Sequence, residues 1–296
     1  MNAIIKEKKG FFTEKLADYS QLVKLRLTLL VVFSSVIGYL FAGVNVNLIS
    51  ILILSIAGIL VTGGANAINE ILEKDSDALM SRTSSRPIPT GRMSVTEAAV
   101  FAGIAGIVGI LLFAIFFNPI SGIISAVSLL LYGFVYTPLK KVSSIAVFIG
   151  AIPGALPPAI GYIAATGHID QIALILFGIQ FFWQFSHFWA IAWVSYDDYL
   201  KADIMLLPDA NGRTKQSAIY ALIYTLALIP LGLVPYAMGI VGIYGTVILT
   251  LTAIYFSYLA AMLVIKCDVA SARKLMFGSF LYLPIVQLSI LFDKLK

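Results

Sequence analysis

Apolar runs of about twenty residues recur along the whole chain, each closed by a short polar or charged stretch. A helix of about 20 residues crosses a hydrocarbon core of about 30 Å. The runs are continuous and do not alternate with polar positions, which argues against a membrane β-barrel. The pattern predicts nine spans, at 27–44, 48–68, 96–117, 120–137, 143–165, 171–194, 217–237, 240–265 and 275–292. The expected fold class is therefore all-α, a polytopic membrane protein. Residues 1–296 read as a single integral-membrane domain behind a polar leader over 1–20.

Composition agrees with that pattern. Hydrophobic residues make up 60% of the chain and charged residues 12%, against about 25% charged in a typical soluble domain. The single cysteine, Cys267, excludes an internal disulfide framework and a multi-cysteine metal site. No cleavable signal peptide is expected, because the first apolar run is long enough to remain as a span. The net charge of +5 does not point to nucleic acid, because its placement follows topology. The leader and the even-numbered connections hold 18 of the 20 Lys and Arg residues, and only Lys294 and Lys296 fall on the other side. The positive-inside rule puts the N-terminus and the even-numbered connections in the cytoplasm, so the expected location is the inner (plasma) membrane. Two of these connections, 69–95 and 195–216, are long and charged and lie four spans apart. That spacing suggests a duplication in which spans one to four are echoed by spans five to eight, with a binding site between the halves.

The first long connection opens NEILEKDSD, residues 69–77. If span two continues as a helix, Asn69, Glu73 and Asp77 fall at i, i+4 and i+8. Glu70 joins their face, Asp75 points elsewhere, and Thr62 and Asn66 carry the stripe back into the membrane. Crowded carboxylates raise one another's pKa unless a cation lies among them, and hard oxygen ligands beside phosphate suit Mg²⁺. A solvated helix end is the plainer reading of the same residues. The stretch SRTSSRPIPTGR, residues 81–92, follows with Arg82, Arg86 and Arg92 in a loop stiffened by two prolines. Guanidinium groups bind phosphate oxygens in pairs, although topology or anionic lipid would also explain arginines here.

The second long connection carries Asp197 and Asp198, with Asp203 beyond. Projected back along span six, Gln180, Gln184 and His187 share their stripe. Polar residues inside a span face a cavity or bond to neighbouring helices. For His187 the candidate roles are metal ligation, proton shuttling and cation stabilisation. The tryptophans and phenylalanines around it read mainly as packing and an interfacial belt. Tyr132, Tyr136 and Lys140 recur at i+4 spacing towards the end of span four. In span five, GAIPGALPPAIG (150–161) either kinks the helix or allows close packing through small residues.

These motifs resemble the UbiA superfamily of intramembrane prenyltransferases, which carry N-D-x-x-D-x-x-x-D after span two and a second Asp-rich motif after span six. The first pattern here reads Asn69, Glu70, Glu73, Asp77, with Glu for Asp at two places. LEKDSDALMSRTSSRPIPTGR, YTPLKK, GAIPGALPPAIGY and SHFWAIAWVSYDDYLKADIMLLP are similar, in that order, to the protoheme IX farnesyltransferase branch. Two positions depart from that branch: Ser186 stands where it usually has Pro, and Asp203 where it usually has Gly. Asp203 would either add a ligand or be solvated.

The resemblance implies nine transmembrane helices around a central cavity open to the cytoplasmic side, with farnesyl diphosphate and haem b as substrates. It implies Mg²⁺ held by Asn69, Glu73, Asp77, Asp197 and Asp198, with Arg82, Arg86 and Lys140 neutralising the diphosphate. By position and chemistry, Arg26 is a further candidate for diphosphate or a haem propionate, and His187 and Tyr136 are candidates for haem contact. Haem A synthase or oxidase assembly factors are implied as possible partners. The competing readings are a UbiA-type enzyme acting on an aromatic quinone precursor, a secondary transporter and a structural membrane subunit. A transporter would place its ion ligands near the midplane, whereas these acids gather at one face beside arginines.

Overall fold

The structure is a computed structural model, and it describes residues 13–44 and 46–295. The first part of the expected leader, with Lys6, Lys8 and Lys9, lies outside the described residues, as does Lys296. Among the described residues the chain is helical, apart from loops and one isolated antiparallel bridge between Val241 and Lys294. Helix α1 covers residues 13–22. It is followed by α2 (Leu25–Ala42), α3 (Leu48–Leu72), α4 (Lys74–Leu79), α5 (Val95–Phe116) and α6 (Pro119–Leu130). Then α6 passes through a π-helical turn (Leu131–Tyr136) into α7 (Thr137–Leu139). The remainder is α8 (Ala146–Thr166), α9 (Gln171–Val194), α10 (Tyr196–Lys201), α11 (Lys215–Ala237), α12 (Ile243–Lys266) and α13 (Val269–Phe292). Among the described residues nine segments are long and apolar enough to cross a membrane: α2, α3, α5, α6 to α7, α8, α9, α11, α12 and α13.

Local chemistry sets where the spans begin. Asn47, Ser94, Asn118, Asp170, Thr214 and Asp268 each accept a hydrogen bond from a first-turn backbone N–H of α3, α5, α6, α9, α11 and α13. Such caps satisfy donors that have no partner within the helix. The Asp268 cap corrects one boundary. The ninth span starts at Val269 and not near 275, so Arg273 and Lys274 sit inside the helix, where long basic side chains reach the interface.

Span five settles the question raised by its prolines. Helix α8 runs unbroken through Pro153, Pro157 and Pro158 and is largely buried against α2, α6 and α9. Pro158 has no N–H to donate to the Gly154 carbonyl four residues back. Gln180 Nε2, from α9, donates to that oxygen instead at 2.7 Å. The small residues allow the backbones to meet: a Cβ on Gly161 would collide with the Ser35 carbonyl oxygen, and one on Gly38 with that of Pro158. Close packing, not an opened helix, is what this segment provides.

The first and last spans meet, since α2 lies against α13. Lys294 Nζ donates to the carbonyls of Phe41 (2.6 Å) and Ala42 (3.2 Å) at the C-terminal end of α2. A cation there offsets the partial negative charge of the helix end. At the opposite rim, α1 buries Leu22 in a cluster with Ala67, Ile88, Met93, Ala98 and Ala102. It thereby braces the loop that follows α4.

Candidate active site

Span two does not run straight to residue 77. The helix breaks at Glu73 (φ −98°, ψ 5°) and restarts as α4. The backbone bonds Glu73 N–H to Asn69 O (3.0 Å) and Asp77 N–H to Glu73 O (2.7 Å) bridge the joint. Asn69, Glu70, Glu73 and Asp77 all remain buried, while Asp75 is exposed.

Each side chain of this stripe meets a cation or an amide. Asn69 Nδ2 donates to Glu73 Oε2 at 2.9 Å and to Thr137 Oγ1 at 3.1 Å, and Asn69 Oδ1 accepts from Lys24 Nζ at 2.7 Å. Glu73 Oε1 is ion-paired with Lys140, whose ammonium also lies 4.8 Å from the centre of the Tyr136 ring. Burial pushes the Glu73 carboxyl up, but Lys140, Lys24 and the hydrogen bond from Asn69 outweigh that and leave it below its ordinary value. For Lys24, burial comes first and the charges of Arg86 and Lys140 add to it, which brings the ammonium down to about 7 despite Glu73 and Asp77. Arg86 Nη1 holds Asp77 Oδ2 at 2.5 Å. Among the described residues, Asp77 Oδ1 is buried with no hydrogen-bond partner, and so is Glu70 Oε2.

The arginine loop is locked from several sides. Thr83 Oγ1 donates to the Asp77 carbonyl at 2.9 Å. Arg92 donates to Asp18 (2.8 Å) and Gln21 (2.9 Å) of α1 and to the Ser85 carbonyl (3.0 Å), so its role is to fasten the loop. Arg82 is exposed and makes no ion pair among the described residues. Arg26 is exposed as well, and the cation that reaches the stripe from the start of span one is Lys24.

The second acidic stretch repeats the geometry of the first. Helix α9 ends at Val194, Ser195 breaks it, and a six-residue helix follows, as α4 follows α3. Its two aspartates diverge. Asp198 accepts from Ser81 Oγ of the first loop at 2.6 Å and from Lys201 Nζ at 2.8 Å. These two bonds hold its carboxyl well below the usual range. Asp197 turns away, 77% exposed, to a two-pronged contact with Arg213 at 3.1 Å. Met205 N–H donates to the Lys140 carbonyl at 2.9 Å. The connections after spans two, four and six thus meet at one face. Asp203 is exposed with φ 53°, a left-handed conformation that Gly adopts freely and Asp tolerates. Its side chain lies at the surface.

Deeper in α9, Gln180 belongs to a buried network in which Gln287 Nε2 donates to Gln180 Oε1 (2.9 Å) and to Ser34 Oγ (3.0 Å). It bonds α9 to α8, α13 and α2. Ser186 Oγ donates to the Ala221 carbonyl at 2.7 Å, which joins α9 to α11. The ring of His187 stacks on Trp183 with centres 4.5 Å apart. Ser279 Oγ donates to the Met276 carbonyl at 2.5 Å, so at its 2.8 Å contact with His187 Nδ1 it acts as the acceptor. The proton therefore sits on Nδ1, and Nε2 keeps its lone pair.

Asn69, Glu73 and Asp77 are hard oxygen donors, and the orphaned Asp77 oxygen is of the kind a divalent cation takes. The donor set fits Mg²⁺ in type. It is not gathered for one: among the described residues no three acidic, histidine or cysteine side chains converge on a metal position. Asp197, the fifth expected ligand, stands apart from the other four in this structure, paired with Arg213.

The sequence model of the UbiA prenyltransferase family matches residues 31–283. The chain belongs to that family. Among its relatives, the protoheme IX farnesyltransferase of Cytophaga hutchinsonii is 47% identical over 278 residues, covering 94% of this chain and 97% of the relative. The protein of the same name from Flavobacterium johnsoniae is 40% identical, with 94% of each chain covered. Solved structures share the UbiA fold. A digeranylgeranylglyceryl phosphate synthase superposes with a TM-score of 0.76 at 22% identity, over 95% of this chain and 98% of that one. A UbiA homologue from Archaeoglobus fulgidus bound to GPP and Mg²⁺ gives 0.64 at 16% identity, over 92% and 99%.

Sequence reasoning did not single out three residues that the structure brings to the acidic stretches. Lys24 was hidden because it reaches Asn69 only through its left-handed backbone (φ 49°, ψ 55°). Ser81 and Arg213 sort the two aspartates, and no spacing rule announces either. The positive signal for Arg213 was a lone arginine in the second connection, which topology alone also explains.

Proposed function

We propose that this chain transfers a farnesyl group from farnesyl diphosphate to a vinyl group of haem b, giving haem O and diphosphate at the cytoplasmic face of the plasma membrane. The observation that carries the reading is the buried row Asn69–Glu73–Asp77, faced by Lys24, Lys140 and Arg86 in a UbiA chain that matches farnesyltransferase relatives along almost its whole length. Carboxylates and cations in one buried place suit a diphosphate that arrives with a divalent cation.

The geometry supports the following roles. Asn69, Glu73 and Asp77 would hold Mg²⁺, with Asp198 at the edge of the site through Ser81. The metal supplies positive charge to the leaving diphosphate when bound. Arg86, Lys140 and Lys24 neutralise the charge that grows on the leaving oxygen as the farnesyl C–O bond breaks. The rings of Tyr132, Tyr136 and Phe188 lie in sequence, with centres 5.4 and 6.1 Å apart. Their faces stabilise an allylic cation and keep water from it. The terminal vinyl carbon of haem attacks the farnesyl carbon, and a water oxygen then closes the remaining cation and loses a proton. The His187 Nε2 lone pair is the group available to haem iron. Haem A synthase and oxidase assembly factors are the partners that would take the product.

The test gives purified protein farnesyl diphosphate and Mg²⁺ with either haem b or 4-hydroxybenzoate. Haem O identified by mass supports the assignment, and prenylation of the benzoate alone rejects it.

A further inference from the structure

Asn69, Glu73 and Asp77 of the first stripe each have one oxygen engaged by a cation of the protein. Lys24 Nζ sits on Asn69 Oδ1 (2.7 Å), Lys140 on Glu73, and Arg86 on Asp77. The match is one cation to each donor, and the cations come from three separate segments: the α1–α2 joint, the end of α7 and the loop after α4. Lys24 is held there by a left-handed backbone that an L-residue adopts only at a cost, and the braced helix α1 precedes it. Within that brace Asp18 and Gln21 accept from Arg92, which ties α1 to the loop carrying Arg86.

We infer that Lys24, Lys140 and Arg86 are placeholders on the metal-ligand oxygens, so that the site takes up a divalent cation and a diphosphate as one unit by exchanging partners. The inference rests on the diphosphate-site reading above. A divalent cation alone would have to displace or crowd three positive charges, which is costly at short range in a buried site. A diphosphate gives those charges a new partner, and lysine and arginine both bind phosphate oxygens well. Once they turn to it, Asn69, Glu73 and Asp77 are released to the metal. Each ligand then raises the affinity of the other by the same factor, as linkage requires. Lys24 becomes a diphosphate-contacting residue that also sets the metal affinity.

Titration calorimetry on the full chain in nanodiscs tests this with Mg²⁺ alone, then Mg²⁺ with inorganic pyrophosphate. In the wild type, pyrophosphate should tighten Mg²⁺ binding at least about tenfold. Lys24→Met keeps the length and the backbone demand of the side chain but removes the charge. It should bind Mg²⁺ alone roughly tenfold more tightly and Mg²⁺–pyrophosphate less tightly, a pair of opposite shifts that a merely structural role would not produce. Lys140→Met repeats the test on Glu73 should Lys24→Met fail to fold. Unchanged Mg²⁺-alone affinity in the folded variants, with pyrophosphate still bound, overturns the exchange. No uptake of Mg²⁺–pyrophosphate by the wild type overturns the diphosphate site itself.

Discussion

Asp77 concentrates the chemistry of single residues in this chain. One of its oxygens is held by Arg86 and the other, in a buried place, has no partner among the described residues. Asp77→Asn should lower farnesyl transfer at least about 100-fold at saturating Mg²⁺, with the protein still folded in the membrane. A turnover assay across a Mg²⁺ series checks it. Arg86→Ala removes a charge-assisted bond, a loss of about 1.5–3 kcal/mol. It should raise KM for farnesyl diphosphate by roughly tenfold or more and leave KM for haem b in place, and equal losses for both substrates would indicate a damaged fold. Asp203→Gly relieves a left-handed residue and should leave turnover and Mg²⁺ dependence unchanged while raising the thermal midpoint. At this scale the sequence was legible where one helix sets the geometry. Asn69, Glu73 and Asp77 share a face because backbone bonds carry the period across the break at Glu73. It was not legible where distant residues choose the orientation. Asp197 and Asp198 are neighbours in the chain, yet one follows Arg213 outward and the other Ser81 inward.

Elements were easier to foresee than their interiors. The nine spans follow from continuous apolar runs, and capping residues set most of their starts. The ninth began early because Asp268 caps it and basic side chains are tolerated at the interface. The triple proline of α8 gave two opposite expectations, and a residue on another helix decides between them. Gln180 takes over the Gly154 carbonyl that Pro158 leaves without a donor. Gln180→Leu should therefore destabilise the protein by about 1–3 kcal/mol, the cost of a buried unbonded carbonyl. Thermal unfolding in nanodiscs measures this, and an unchanged midpoint would show that α8 needs no such donor. Between α6 and α7 a π-helical turn precedes Pro138, and Thr137 Oγ1 donates to Tyr132 O five residues back at 2.8 Å. That wider turn sets Thr137 beside Asn69 and Lys140 beside Glu73, a placement that i+4 counting only approximates.

At the scale of the whole molecule, the two rims of the bundle are fastened differently. The charged rim is joined by polar links: Ser81 to Asp198, Arg92 to Asp18 and Met205 to Lys140. The other rim is closed by residues 293–295, with Lys294 on the last carbonyls of α2, Leu295 N–H on Ile240 O and Asp293 Oδ2 accepting from Gly245 N–H. Lys294→Met should lower the thermal midpoint while turnover at permissive temperature stays near that of the parent. The sequence marked Lys294 only as an exception to the positive-inside pattern, because its partners lie more than 250 residues away. A fluorescent or enzymatic reporter joined next to Lys294 would tug directly on the first span, whose last carbonyls that residue holds. Orientation assays that rely on such fusions will therefore carry a penalty in yield, and the same reporter inserted in an exposed loop is the fairer gauge.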